Sequence, residues 1–444
     1  MIDALVTGRS IAALLAALDL AEVGLRVGLA TDERVGEPPA APVRDPDGIV
    51  TEFLNRVAAP LPGTDAQPAT GALPRVSAPV APLLQDRSGA WAPQTNPAVL
   101  GIPSSPLAAE TVRLLGAGAA VRAYLDRIMP LLAVGKAKTL GPLVRKRVGT
   151  RALECLVEPE VRERYGVRAD EVEVALAAPG LNEALSRVGS LTGAALAYAD
   201  RNVARETRVE PAGGGAALKA EILRKLELYG AEFFDGRVTR AIVSNATGEE
   251  AEPHPGSWSV TLSDGRELES RSLILDFSRN ATRTELLSEL APGLHAQRVR
   301  VHAEIDISCP DWLTEGERAL AVRGGWTILA ECRTGRTARV ILSSDVLSEP
   351  PALDGLDGVL SRILLDYALQ PLPGAEWSMG VAAAPFSSHA DRGQAASRVA
   401  SIAAQHPPMR AVGRALFGDD LPSALAAAHA DAVALRRELT GLTA

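Results

Sequence analysis

The sequence predicts an α/β fold of more than one domain, and three observations predict it. Residues 2–7 read as a buried strand, 11–23 as a helix ended by Gly24, and 26–31 as a second strand. A second α/β section starts near residue 203, where Gly213-Gly214-Gly215 opens a helix that runs to about Tyr229 and stops at Gly230. The chain's 444 residues also exceed the roughly 250 to 300 at which a single hydrophobic core stops growing, so two domains are expected.

Between these sections, residues 38–106 hold 14 of the 31 prolines and few periodic runs, and are expected to form a long irregular crossing. From 107 to about 197 the pattern is mainly helical, with helices expected at 142–156, 158–165 and 181–188 and Pro142 in a first turn. After residue 230, strands are expected at 231–234, 237–244, 257–262 and 271–276, with Ser263-Asp264-Gly265 as a hairpin turn. A further sheet is expected from 298–306, 326–332, 337–343 and 377–384, with a helix at 356–369. A short strand at 409–412 and a helix at 421–440 close the chain.

Composition narrows the function. Hydrophobic residues make up 47% and charged residues 23%, as in a folded globular protein. The net charge of -8 gives no global cationic field, so nucleic acid is not expected as a partner. Lys136, Lys138, Arg145, Lys146, Arg147 and Arg151 form one basic cluster, read first as a solvated helical face and second as an anion or membrane-surface site. Cys155, Cys309 and Cys332 are far apart in sequence and suggest neither a disulfide framework nor a metal site. The start does not read as a secretory signal, and Asp19, Glu22, Gly24 and Arg26 interrupt the most apolar stretch. A cytoplasmic protein is expected, with peripheral membrane contact as the second reading and the oligomeric state left open.

The chemistry concentrates in residues 4–31. A dinucleotide-binding strand–helix–strand unit uses G-x-G-x-x-G to make a tight turn and bring backbone close to a pyrophosphate, and an acid about 20 residues on to bind ribose. Here Gly8 keeps the first place, Ser10 and Ala13 hold the other two, and Thr31 stands where the acid belongs. The helix start at residues 9–12 still offers free N–H groups to an anion, and Arg9 adds charge there. The six histidines are scattered without metal-ligand spacing. His302 and Glu304 alternate on one expected strand, read first as an exposed strand face and second as facing a substrate cavity.

Three segments together resemble the flavin-containing amine oxidase superfamily, and within it the protoporphyrinogen and coproporphyrinogen oxidases. They are Val6–Leu18 with Ala21–Val27; Leu143–Gly149 followed by Leu156–Pro159, Tyr165-Gly166, Ala169–Glu171, Pro179 and Gly189–Leu191; and Glu210–Gly214 with Leu218, Ile222, Gly230-Ala231, Val238 and Ile242. The resemblance implies a Rossmann-type FAD/NAD(P)-binding domain in three pieces, 1–75, 200–285 and 405–444. These interleave with an α+β substrate domain, mainly helical over 76–199 and a sheet over 286–404.

It further implies FAD contacts at Gly8, Arg9, Ser10, Ile11, Thr31, Val238, Gly413 and Arg414, and His302 as a guess for the substrate side. No catalytic residue is assigned, since the flavin of such oxidases takes the hydride itself. Several of these positions depart from the family pattern. Arg414 reverses the charge of an acid that contacts the ribityl and phosphate region. Ser423-Ala424 and Ala427-Ala428 replace small pairs that let the last helix approach the flavin ring, and Asp276 stands where a small neutral residue is usual. The implied activity is an FAD-dependent oxidase taking hydride from a large apolar ring substrate. The alternative is a non-catalytic homologue with weak or absent FAD, acting as a binding or scaffold protein; carotenoid or amine substrates come third.

Overall fold

The computed structural model describes residues 1–31, 42–61, 67–78, 80–130, 137–201, 207–244, 257–277, 298–334, 336–405 and 408–441. The chain forms two compact units. One comprises Met1–Ala78, Ala204–Ala296 and Arg392–Ala444; the other comprises Pro79–Val203 and Gln297–Asp391.

The first unit is built on a five-stranded parallel sheet in the order Glu232–Asp235, Val27–Thr31, Ala4–Val6, Leu273–Asp276, Met409–Val412. Four of the strands are short and almost wholly buried, as strands covered on both faces are, while the edge strand Glu232–Asp235 is largely exposed. Alternation divides them. Ala4, Val6, Leu29, Ile274 and Val412 face helices, including Ile11–Ala21, Gly214–Leu228 and Leu421–Leu439. Leu5, Ala30, Leu273, Leu275 and Ala411 face an antiparallel sheet of Val238–Ser244, Ser257–Leu262 and Glu267–Ser270, where Trp258 is buried.

Helix Ile11–Ala21 buries ten of its eleven residues, each leucine among them contributing about 1.5–3 kcal/mol. The exception, Asp19, pairs with Arg56 and with His429 Nδ1, the latter at 2.9 Å. Because all five strands run the same way, their C-terminal ends share one edge. Topology thereby gathers Gly8–Ile11, Thr31, Asp276 and Gly413-Arg414 there from across the sequence.

The second unit holds a seven-stranded sheet in the order Ser378–Ala383, Val299–Ser308, Thr337–Ser344, Trp326–Thr334, Arg318–Arg323, Leu83–Gln85, Trp91–Pro93. Helix Asp357–Asp366 sets Leu360, Ile363 and Leu364 into the same core as Ala303, Ile305 and Ile307. A separate helical core spans much of 114–198.

Five expectations need correction. The proline-rich crossing contains a helix, Ile49–Ala58, whose Val50, Phe53, Leu54 and Val57 form a buried stripe. Asp45 caps it, accepting from Val50 N at 3.0 Å and Thr51 N at 2.8 Å. At its other end the buried Lys225 donates to the carbonyls of Arg56 and Ala59, at 3.0 and 2.7 Å. Strand Arg318–Arg323 and helix His389–Gln405 were not expected. The helix expected at 142–156 breaks at Gly149, after Leu140–Arg147.

The basic cluster is not a uniform solvated face either. Arg147 is buried against Asp126 at 2.5 Å and donates to the carbonyls of Asp126, Met129 and Gly189, while Thr192 N donates to the other carboxylate oxygen at 2.9 Å. Arg145 pairs with Asp170 and Lys138 with Glu173; Lys136 lies outside the described residues.

Candidate functional site

The edge of the parallel sheet carries the candidate site, and its centre is a contact between two residues 266 positions apart. Strand Ala4–Val6 ends in a turn at Gly8, and Ser10 caps helix Ile11–Ala21, its Oγ accepting from Ala13 N at 3.2 Å. The neighbouring strand ends at Asp276, held in register by Asp276 N donating to Thr7 Oγ1 at 3.0 Å. Its carboxylate lies on the helix start. One oxygen accepts from Ser10 N at 2.9 Å and the other from Ser10 Oγ at 2.6 Å. A Cβ on Gly8 would stand 2.3 Å from the same carboxylate, so glycine is required here by the acid that packs on it.

The adjacent strand end is closed as well. Phe277 N donates to Val412 O at 2.7 Å and Ala415 N to Phe277 O at 3.2 Å. Gly413 sits between them at φ +122°, where a Cβ would meet Phe277 O at 2.1 Å. Arg414 turns back into its own loop: it pairs with Asp419 Oδ1 at 3.0 Å and donates to Asp419 O at 2.8 Å. The last helix, Leu421–Leu439, is also capped by an acid, Ser423 N donating to Asp420 Oδ2 at 3.1 Å.

The other expected residues take these places. Arg9 carries its guanidinium over the Phe233 ring, 6.0 Å from the centroid. Ile11 is buried at the first turn of its helix. Thr31 is buried at its strand end, its carbonyl accepting from Gly236 N at 2.9 Å. Val238 is buried opposite Leu262, at a bulge that opens the antiparallel sheet. In the second unit, His302 Nδ1 bonds Ser343 Oγ across strands at 2.9 Å, and Glu304 pairs with Arg339 at 2.6 Å. Asp32 and Glu33, the nearest acids to Thr31, and His254, His295 and His406 lie outside the described residues. Among the described residues no group of three or more His, Cys, Asp and Glu side chains could hold a metal ion. No helix among them is long and apolar enough to cross a membrane.

No protein-family model matches the sequence, and no curated protein does. Solved structures match over the whole chain. A candidate protoporphyrinogen oxidase from Exiguobacterium sp. 255-15 is 16% identical with a TM-score of 0.71, covering 98% of this chain and 99% of that one. A reduced UDP-galactopyranose mutase is 13% identical with a TM-score of 0.60, covering 100% and 94%. A redesigned putrescine oxidase is 11% identical with a TM-score of 0.53, covering 100% and 99%. The fold is thus the α/β fold that these solved proteins share, a Rossmann-like parallel sheet in one unit joined to a second unit with its own sheet and helices.

That fold seats a dinucleotide's phosphates on the N–H groups that open the first helix. The residues present here do not fit that group. Asp276 already satisfies the Ser10 N–H and Oγ–H, fills the space beside Gly8, and sets a negative charge where a second anion would have to lie. Ser10 and Asp276 each stand out in the sequence on their own; their contact, 266 positions apart, is supplied only by the fold.

Proposed function

We propose that this chain is a non-catalytic binding protein on the flavin-oxidoreductase fold, working without tightly bound FAD. The observation that carries this reading is the Asp276 carboxylate on Ser10 at the helix start. Each of the two hydrogen bonds is charge-assisted and worth about 1.5–3 kcal/mol, and a diphosphate must displace both or lie beside the carboxylate. Asp420, capping the last helix, is in keeping with it.

A second reading, an FAD-dependent oxidase acting on a large apolar ring substrate such as a porphyrinogen, is favoured by the full-length fold match to the Exiguobacterium protein. One experiment separates the two. Protein purified from cells supplied with riboflavin, and then dialysed against excess FAD, is expected to be colourless and to release no stoichiometric FAD on denaturation. A yellow protein releasing one FAD per chain would remove the first reading and leave the second. A cytoplasmic location is part of the proposal, with peripheral membrane contact as its second reading, and co-sedimentation with vesicles containing anionic lipid checks the latter.

A further inference from the structure

Two cysteines distant in sequence meet at one end of the seven-stranded sheet. Cys309 follows strand Val299–Ser308, and Cys332 lies in strand Trp326–Thr334; strand Thr337–Ser344 runs between those two. Register puts Ser308 opposite Thr337 and Cys332 opposite Ala338, while Cys309 N donates to Arg336 O at 3.0 Å, so both cysteines sit where the middle strand begins. Ala303, Ile305 and Ile307 on one side and Ile328 and Ala330 on the other face the core. Residues 309 and 332 continue the same alternation and point the same way. Their sulfurs are 2.9 Å apart, and the Cys309 thiol lies 3.2 Å from Leu313 O.

We infer that Cys309 and Cys332 form an oxidative modification site, closing to an intramolecular disulfide on exposure to a peroxide. One sulfur, as thiolate, attacks a peroxide oxygen; the O–O bond breaks, leaving a sulfenic acid and a hydroxide that takes up the released proton as water. The second sulfur attacks the sulfenic sulfur, the S–O bond breaks, and a second water leaves. Two thiols lose two electrons and two protons, and one hydrogen peroxide becomes two waters. Burial, with the neighbouring Cys332 sulfur, pushes the Cys309 thiol up to about 12. Cys155 stands apart in the helical core and takes no part.

The test uses the full chain, reduced and then held in hydrogen peroxide, with thiols counted after denaturation and tryptic peptides mapped. Titratable thiols are expected to fall from three to one, the intact mass to drop by two hydrogens, and a single linked peptide pair to carry Cys309 and Cys332, all reversed by dithiothreitol. C155S should fall from two thiols to none, and C309S should keep two. Three surviving thiols in the folded protein, oxygen adducts on either cysteine in place of the mass loss, or a linkage through Cys155 would overturn the inference. The peptide map decides on the unmodified sequence, whatever the variants do to folding.

Discussion

Asp276→Ala should loosen the fold and open it to diphosphates, and the structure sets the size of both effects. Stability falls because two hydrogen bonds from Ser10, at 2.9 and 2.6 Å, lose their acceptor. Water can reach this part-buried site, so the loss is nearer about 2 kcal/mol than the sum of two charge-assisted bonds. Affinity rises because a carboxylate no longer faces the incoming charge. Two like charges about 4 Å apart at an effective dielectric of about 20 repel by about 4 kcal/mol; halved for screening, that is about 2 kcal/mol, or roughly 30-fold.

Calorimetric titration of ADP and FAD into wild type, Asp276→Ala and Asp276→Asn separates charge from bulk, since the amide keeps the volume and an acceptor oxygen. The gain should be largest for alanine and partial for asparagine. Gly8→Ala supplies an internal check: its Cβ would stand 2.3 Å from the carboxylate, so it should destabilise wild type yet be tolerated in the Asp276→Ala background, a coupling of about 1–2 kcal/mol in a double-mutant cycle. Stoichiometric FAD on wild type, or weaker diphosphate binding by Asp276→Ala, would refute the reasoning.

Other perturbations follow from the same geometry. Arg147→Met leaves Asp126 buried with its charge uncompensated, and should cost about 3–5 kcal/mol in urea unfolding. Gly413→Ala must fit a Cβ 2.1 Å from Phe277 O at φ +122°; a loss of at least about 2 kcal/mol is expected, read as earlier cleavage in limited proteolysis. Asp431 is pushed up to about 6 by burial and by Glu438, against the pull of Arg410. A raised carboxyl favours the fold while protonated, so this contribution declines as pH rises from about 4 to 6 and the full cost remains above that. Asp431→Asn should therefore gain about 1–2 kcal/mol at pH 7.5 and nothing at pH 4, the side chain being 30% exposed; a Tm difference that does not change with pH would count against it.

How far the sequence could be read differed with the kind of contact. Strand–helix–strand order at 2–31 is legible from the lengths of its apolar runs and from the Gly8 and Gly24 that bound the long one. Helix Ile49–Ala58 was overlooked although Val50, Phe53, Leu54 and Val57 have helical spacing, because the prolines on either side suggested irregular chain. Arg147 was read with its charged neighbours as solvated, since nothing local marks Asp126 as its buried partner 21 residues away. Cys309 and Cys332 have no motif spacing and meet only through strand order. For Arg147 and the two cysteines the residue type is visible in the sequence and its partner is not, because partners are supplied by sheet register and helix packing.

The same distinction bears on how the altered positions are understood. An open dinucleotide site would leave the N–H groups at its helix start to water, and reversing one nearby charge would leave an arginine seeking an acid. Three of the departures are met from within the fold: Ser10 by Asp276, Arg414 by Asp419, and Ser423 at the start of the last helix by Asp420. Gly8, the surviving member of the glycine pattern, is still required, but by a carboxylate in place of a phosphate. The Asp276 contact to Ser10 belongs to the chain itself, so the stability it supplies needs no bound ligand. The retained Gly8 and the substituted Ser10 are therefore parts of one arrangement with Asp276, held together without any ligand.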